Sequence, residues 1–164
     1  MKTYYDLIDY IYNYLNGNQS INTVTIGDVM DVDLTKQTIF PLAHINVGSV
    51  TFDEHIVTFN ITVMAMDIVD ESKEDKLSLA KPHLGLDNKQ DILNTMLTVV
   101  NGLQSSLRRG GLHDANVEID SPASANLFED RFENLLTGWS MDLAINMPNS
   151  DMGLINADGS TNCQ

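Results

Sequence analysis

The sequence predicts an α+β domain with a mixed or antiparallel sheet, a long β-hairpin and two helices packed on one face of the sheet. Two segments carry apolar residues at helical spacing, one near the start of the chain and one in its middle. Other segments alternate apolar and polar residues, which is typical of strands with one buried face. Because helices lie between stretches of antiparallel strand, an α+β arrangement is expected.

The first helix is predicted over residues 3–16, with Thr3 as a capping residue and Gly17 at its end. This segment also contains every tyrosine of the chain: Tyr4, Tyr5, Tyr10, Tyr12 and Tyr14. Two interpretations remain open for them. They either pack in the core with their hydroxyl groups at the surface, or they form an aromatic contact surface for a partner.

A hairpin dominates the next part of the chain. A short β-branched strand is predicted over residues 23–29, followed by a polar loop. A second strand begins at Phe40-Pro41 and runs to Phe52, and a third runs over residues 55–69 after an acidic turn. The third strand alternates over ten residues, so strands two and three are expected to form a long antiparallel hairpin.

The second half of the chain predicts a helix between shorter strands. The helix spans residues 88–107, with Asp87 as its cap, and the pair Arg108-Arg109 complements the dipole at its end. A short strand is expected over residues 116–120, a loop over 121–133 and a last strand over 135–147. We therefore expect one domain over residues 1–148 and a polar tail over 149–164.

The net charge of the chain limits the classes of partner that it is expected to bind. Nine Lys and Arg residues stand against 23 Asp and Glu residues, giving a net charge of −14. Proteins that grip nucleic acid carry basic patches, so sequence-specific DNA binding is not expected. Solubility is the simplest use of this acidity. No run of about 20 apolar residues and no leader pattern occurs, so synthesis in the cytosol without a membrane anchor is expected.

The search for chemistry gives no catalytic motif, and we expect neither an enzyme nor a cofactor. Phosphate-binding glycine loops and nucleophile elbows are absent from the sequence, and Cys163, its one cysteine, excludes disulfides and cysteine metal sites. His44 and His55 could meet across the hairpin with Asp53 or Glu54 as metal ligands, although a solvent-facing histidine is the commoner outcome. An acidic cluster over residues 70–75 could hold calcium, but it lacks the EF-hand pattern and fits a solvated loop better.

The order of elements resembles the tail terminator and tail-completion proteins of long-tailed bacteriophages. An amphipathic helix and a weak strand precede the block IFPLAHINVGSVTFDEHIVTFNITVMAMD, residues 39–67. That block has a Phe-Pro entry to a strand, an acidic turn and a long alternating strand. A helix after a variable loop and the closing strand GWSMDLAINM, residues 138–147, complete the likeness. It covers residues 1–148 and lies in the order and alternation of the elements.

The resemblance implies a structural role at the tail–neck junction of a virion, assembled in the host cytoplasm. Subunits would form a homo-oligomeric ring, expected to be hexameric, that caps the tail tube and meets the head-completion or connector proteins. Genomic DNA would pass through the ring without specific binding, because a carboxylate-lined lumen repels it. Catalytic, cofactor and metal residues are not expected.

Partner contacts are expected on exposed loops, because loops on a rigid scaffold carry recognition. These loops are the hairpin turn, the segment 70–88 and the segment 121–133. The predicted contact residues are Thr51, Phe52, Asp53, Glu54, His55, Asp70, Glu71, Glu74, Asp75, Phe128 and Arg131. Two alternatives stay open: a small cytosolic ligand- or protein-binding α+β module, and an enzyme whose site gathers scattered acids and His44.

Overall fold

The part of the chain that the structure describes forms two α-helices and one six-stranded mixed sheet, which confirms the predicted α+β class. The computed structural model describes residues 4–70, 87–109, 117–120, 122–131 and 135–149, without the side chains of 130 and 131. The helices are α1 (Tyr4–Asn16) and α2 (Lys89–Arg109). The strands are β1 (Thr23–Ile26), β2 (Leu42–Phe52), β3 (Ile56–Ile68), β4 (Glu118–Ile119), β5 (Ser124–Arg131) and β6 (Leu136–Pro148).

The sheet is built around the predicted long hairpin. Its strand order is β1-β2-β3-β6-β4, and β5 also pairs with β6. β1 runs parallel to β2, while every other pair is antiparallel. β3 and β6 are 13 residues each and pair from end to end, from Ile56 with Pro148 to Ile68 with Leu136. The hairpin and β6 therefore form a continuous, rigid centre.

Both helices pack on one face of this sheet, as the sequence predicts. Their apolar stripes meet the inward residues of β2, β3 and β6 in the larger of two buried clusters. Tyr10 shares a 2.6 Å hydrogen bond with the hydroxyl of Ser106, which joins the two helices. Trp139 Nε1 donates to the carbonyl of Leu93 at 2.9 Å, which joins α2 to β6. Burial and these two bonds fix the helices relative to the sheet.

The described residues cover the opposite face at one end only. There Leu42, Met66, Leu136 and Phe128 form a second buried cluster with Phe40. The connection between β1 and β2, residues 27–41, folds over this end and packs Val32, Leu34 and Ile39 against the cluster. Short 3-10 turns at Val29–Asp31 and Gln37–Ile39 shape that connection.

The structure corrects two predicted elements. The first strand ends at Ile26 rather than at residue 29, because Gly27 takes a φ of 122° and Asp28 then caps a 3-10 turn. The loop predicted over residues 121–133 contains the strand β5, which pairs with β6. β5 is an edge strand, and Phe128 is its one buried side chain among those described. Polar residues therefore interrupt the alternation of apolar and polar residues that would otherwise predict a strand.

Candidate functional site

The hairpin turn is exposed, as expected of a contact site. Residues 51–56 are all exposed, and the ring of Phe52 keeps 71% of its surface accessible. Ile56, on the other side of the turn, is 42% exposed. The predicted residues Thr51 to His55 therefore lie together at one end of the sheet, where a partner can reach them. We call residues 51–56 the hairpin tip.

The end of β6 braces the hairpin tip. The amide of Asn149 donates to the carbonyl of His55 at 2.9 Å, and its side-chain amide donates to the carbonyl of Asp53 at 3.0 Å. Within the turn, the amide of Asp53 donates to the carbonyl of Ile56 at 2.8 Å. The tip is thus a fixed extension of the sheet, and its apolar side chains are presented by an ordered backbone.

Some tyrosines of α1 pack against the core, whereas others are exposed, as an aromatic contact surface requires. Tyr10, Tyr12 and Tyr14 are half-buried and pack against the larger core cluster. Tyr5 is 74% exposed, and Tyr4 lies between Tyr5 and the buried ring of Phe59, with ring centroids 5.8 Å and 6.0 Å away. Phe59 lies in β3 opposite Val50, two residues from Phe52. The exposed aromatic residues of α1 therefore lie at the same end of the sheet as the hairpin tip.

A second surface is the uncovered part of the sheet face opposite the helices. Short polar side chains there bond across strands: Thr58 donates to Asn146 at 2.6 Å and Thr62 donates to Asp142 at 2.8 Å. The amide group of Asn146 donates onward to Asp120 at 3.1 Å. Pairing places Glu118 and Ser124 on the same face. We call this surface the polar face.

The polar face is acidic or neutral wherever the structure describes it. Its carboxylates are Glu118, Asp120 and Asp142, and no described Lys or Arg side chain points from β2, β3, β4 or β6 into it. A shallow depression of about 410 Å³ lies between the bulge at Gly48 and the Pro122–Ser124 region. Hydrogen bonds between neighbours hold these side chains, so the surface is flat and preorganised. It repels phosphate groups rather than binding them.

His44 is fully buried, which contradicts the expected solvent-facing histidine. The β1–β2 connection covers it, its Nδ1 lies 2.8 Å from the hydroxyl of Thr25, and its Nε2 lies 3.0 Å from the carbonyl of Gly27. Burial lowers the pKa of His44, and the Gly27 carbonyl and the Asp28 carboxylate oppose that shift only in part. The neutral ring donates to Gly27 and accepts from Thr25.

The alternative of a metal site formed by His44 and His55 does not fit the structure. His44 pairs in register with Met64 near one end of the hairpin, whereas His55 lies in the turn at the other end. Within the part of the chain that the structure describes, no group of three His, Cys, Asp or Glu side chains is arranged to hold a metal ion. The reason is geometric, since the two histidines are separated by the whole length of β2.

The remaining predicted contact residues differ from the hairpin tip in their burial, and some of them lie outside the described residues. Phe128 is only 4% exposed and fills the second core cluster, so its prediction as an exposed contact is wrong. In β5 it pairs with Gly138 of β6, which places its ring on the side of the sheet where that cluster lies. Asp70 is half-buried, and its amide donates to Asn88 at 2.8 Å. Glu71, Glu74, Asp75 and the side chain of Arg131 lie outside what the structure describes.

Sequence reasoning missed the polar face and the role of His44. The alternation of Thr58, Asn60 and Thr62 is visible in the sequence, but it predicts only a solvent-facing strand side. The signal that could have found His44 is Gly27, which allows a sharp turn back over β2.

No protein-family model matches the chain, and no curated protein matches it. Among the described residues, no helix is long and apolar enough to cross a membrane.

Proposed function

We propose that this chain is a structural protein of a bacteriophage virion, a ring-forming tail terminator or neck component. It caps the tail tube and joins it to the head at the tail–neck junction, after assembly in the host cytoplasm. Its partners are further copies of itself, in a hexameric ring, together with a tail-tube protein and head-completion or connector proteins. Genomic DNA passes through the ring without being specifically bound.

The observation that carries this proposal is the polar face. A channel for DNA needs a wall of short, ordered, neutral or acidic side chains, because basic groups would hold the phosphates by releasing counterions. Thr58, Thr62, Asp142 and Asn146 supply such a wall on a rigid sheet. The net charge of −14 acts in the same direction. In this proposal the polar face lines the lumen.

The hairpin tip supplies the contact to a neighbouring virion protein. Phe52 and Ile56 are large apolar side chains held in the open by a braced turn, and such side chains are the usual anchors of protein interfaces. Asp53 and Glu54 add acidic groups at the rim. Phe52 pairs with Val57 and Ile56 pairs with Pro148, so the two anchors lie on opposite faces of the hairpin. The tip therefore fits an apolar cleft with a basic border, on the tail-tube or connector protein, that contacts both faces.

The ring is tested by light scattering behind size exclusion over a range of concentrations, with negative-stain imaging of the largest species. Closed rings of about six subunits are expected. A chain that remains monomeric at every concentration, and also in the presence of the tail-tube protein of the same phage, contradicts the proposal.

The tip is tested by the double variant Phe52→Ser with Ile56→Ser, using pull-down with that tail-tube protein. Loss of at least tenfold in affinity is expected, because both anchors are removed. The matched control is Leu97→Ser, a comparably exposed side chain on α2 (41%). If the double variant and the control bind the tail-tube protein equally well, the hairpin tip is not the contact with that protein.

A small ligand-binding module is the alternative that one observation favours. A cleft of about 210 Å³ opens between α2 and the Pro122–Ala125 stretch, lined by Leu97, Val100, Gln104 and Met141 among others. Ligand sites usually measure about 300–1,000 Å³, so the cleft suits only a small apolar molecule. Thermal-shift screening with such molecules tests this interpretation, and a reproducible rise in Tm that Leu97→Trp, at an exposed position of the lining, abolishes would support it.

A further inference from the structure

Among the residues that the structure describes, the sheet has an open edge on each side. β1 pairs with only the first four of the 11 residues of β2, from Leu42 to Ile45, which leaves the last seven without a strand on that side among the described residues. On the far side, β5 pairs with β6 from Ser124 to Phe128 and again at Arg131 after a bulge, and no described strand lies along its other edge. An unpaired edge exposes a row of N–H and C=O groups that another strand can bind.

Among the usual protections of an edge strand against pairing, the free part of β2 has one bulge and no others. Natural edge strands are usually blunted by lysine, proline or an inward charge. Residues 46–52 read NVGSVTF and contain none of these. One bulge interrupts the register between Val47 and Val50, after which pairing with β3 resumes. The amide of Asp53 points to β3, so the alternation of the strand turns the N–H group of Phe52 outward.

The two free edges match each other in length and direction. At about 3.3 Å per residue, seven residues span about 23 Å and eight span about 26 Å. β2 and β6 both run antiparallel to β3, and β5 runs antiparallel to β6. In a copy placed beside this sheet with its strands running in the same directions, and tilted to the ring axis as in a closed barrel, β5 would therefore run antiparallel to β2. Antiparallel is the more stable kind of pairing.

We propose that the free edge of β2, residues 46–52, pairs with β5 of a second copy of this chain. The contact is head-to-tail, so each subunit uses a different edge on each side, and a closed ring leaves neither edge open. The sheet continues from subunit to subunit and keeps all polar faces on one side of the ring. The choice of a second copy as occupant rests on the ring proposed above.

The lengths of β1 and β5 also set the stagger of the contact. β5 lies beside residues 136–142 of β6, at the end of the sheet where β1 covers β2. The free part of β2 lies toward the hairpin tip. Pairing these edges shifts each subunit along the strands relative to its neighbour, as strands are staggered in a closed barrel.

Cysteine cross-linking tests the pairing directly. Thr51 and Asn126 are exposed, and their pairing with Thr58 and Ser140 places both on the polar face. In a Cys163→Ser background, Thr51→Cys combined with Asn126→Cys is expected to give disulfide-linked ladders larger than dimers. Ser124→Cys replaces Asn126→Cys as a second partner position two residues away. Each single-cysteine variant is expected to stay unlinked.

Proline substitution tests the hydrogen bonds of the edge. Phe52→Pro removes an outward N–H group, which an edge strand tolerates, and Phe52→Ala removes the same side chain but keeps that group. Rings of the alanine variant are expected to survive, while the proline variant is expected to shift at least tenfold toward monomer with unchanged circular dichroism.

The outcomes separate this inference from the proposed function. In one outcome the wild type forms rings, neither cysteine pair cross-links, and the proline and alanine variants assemble equally well. That outcome contradicts the edge pairing but not the proposed ring. Dimers from Thr51→Cys alone also overturn it, because they indicate a two-fold contact. A chain that forms neither rings nor cross-links overturns both.

Discussion

At the scale of single residues, His44 is a buried polar bridge between three parts of the fold. Its ring joins Thr25 of β1 and Gly27 of the covering connection from a position within β2. Neither contact involves an exposed group of the hairpin tip or polar face. We therefore interpret His44 as the residue that holds the β1–β2 connection over its end of the sheet.

The lowered pKa of His44 makes stability depend on pH. In the unfolded chain the ring takes a proton below about pH 6.5, whereas the folded chain resists protonation to a lower pH. Stability is therefore full above pH 6.5 and falls as the pH drops through the folded pKa. Asp33, whose pKa the Thr35 hydroxyl lowers, acts in the same direction only at more acidic pH.

Urea unfolding at pH 7.5 and 5.5 checks this prediction. The wild type is expected to lose stability between the two values. His44→Asn is expected to be about 1–3 kcal/mol less stable at pH 7.5, because buried hydrogen bonds are lost. The unfolding free energy of this variant is expected to change less with pH than that of the wild type. An equal pH dependence in the variant and the wild type contradicts the role given to His44.

Gly138 marks the closest approach between β6 and β3. A Cβ atom at this position would lie 2.8 Å from the Cα of Met66, and closer still to the carbonyl oxygen of Ala65. Gly138→Ala is expected to cost about 3 kcal/mol of unfolding free energy, because backbone must move. The control is Gly48→Ala, whose Cβ would meet Asn60 at an ordinary 3.4 Å. A change within about 1 kcal/mol is expected there. Similar losses in both variants would refute the close approach.

At the scale of elements, β5 tests how the second core cluster is built. Phe128 is buried, whereas its neighbour Leu127 is 45% exposed on the opposite side of the strand. Phe128→Ala is expected to lower the unfolding free energy by about 3–5 kcal/mol. Leu127→Ala should cost about 1 kcal/mol or less. Chemical denaturation of the two variants measures the difference, and equal losses would mean that β5 does not face the sheet as described.

The accuracy of the sequence prediction differed between elements for physical reasons. The β2–β3 hairpin, α1, α2 and β6 were predictable because each has a long periodic stripe facing one core. β5 was not, because it is anchored by Phe128 alone and carries polar residues along an open edge. The exposure of the hairpin tip followed from its turn residues. The burial of His44 did not, since it depends on a distant connection folding over β2.

At the scale of the whole molecule, one rigid sheet carries three distinct surfaces. The polar face offers neutral and acidic groups, the hairpin tip offers apolar anchors, and the two edges offer unpaired backbone. Each would have a separate role in a ring: the lumen, the contact with a neighbouring virion protein and the contact between subunits. The helices lie on the remaining side of the sheet and complete its core.

The most direct test of the central claim is the rotational symmetry of the assembled protein, measured from single-particle class averages by electron microscopy. We expect closed rings with six-fold symmetry, in which the sheets are continuous around an open lumen and the helices lie outside it. Isolated monomers or two-fold dimers, under conditions where the tail-tube protein of the same phage is also present, would contradict this expectation.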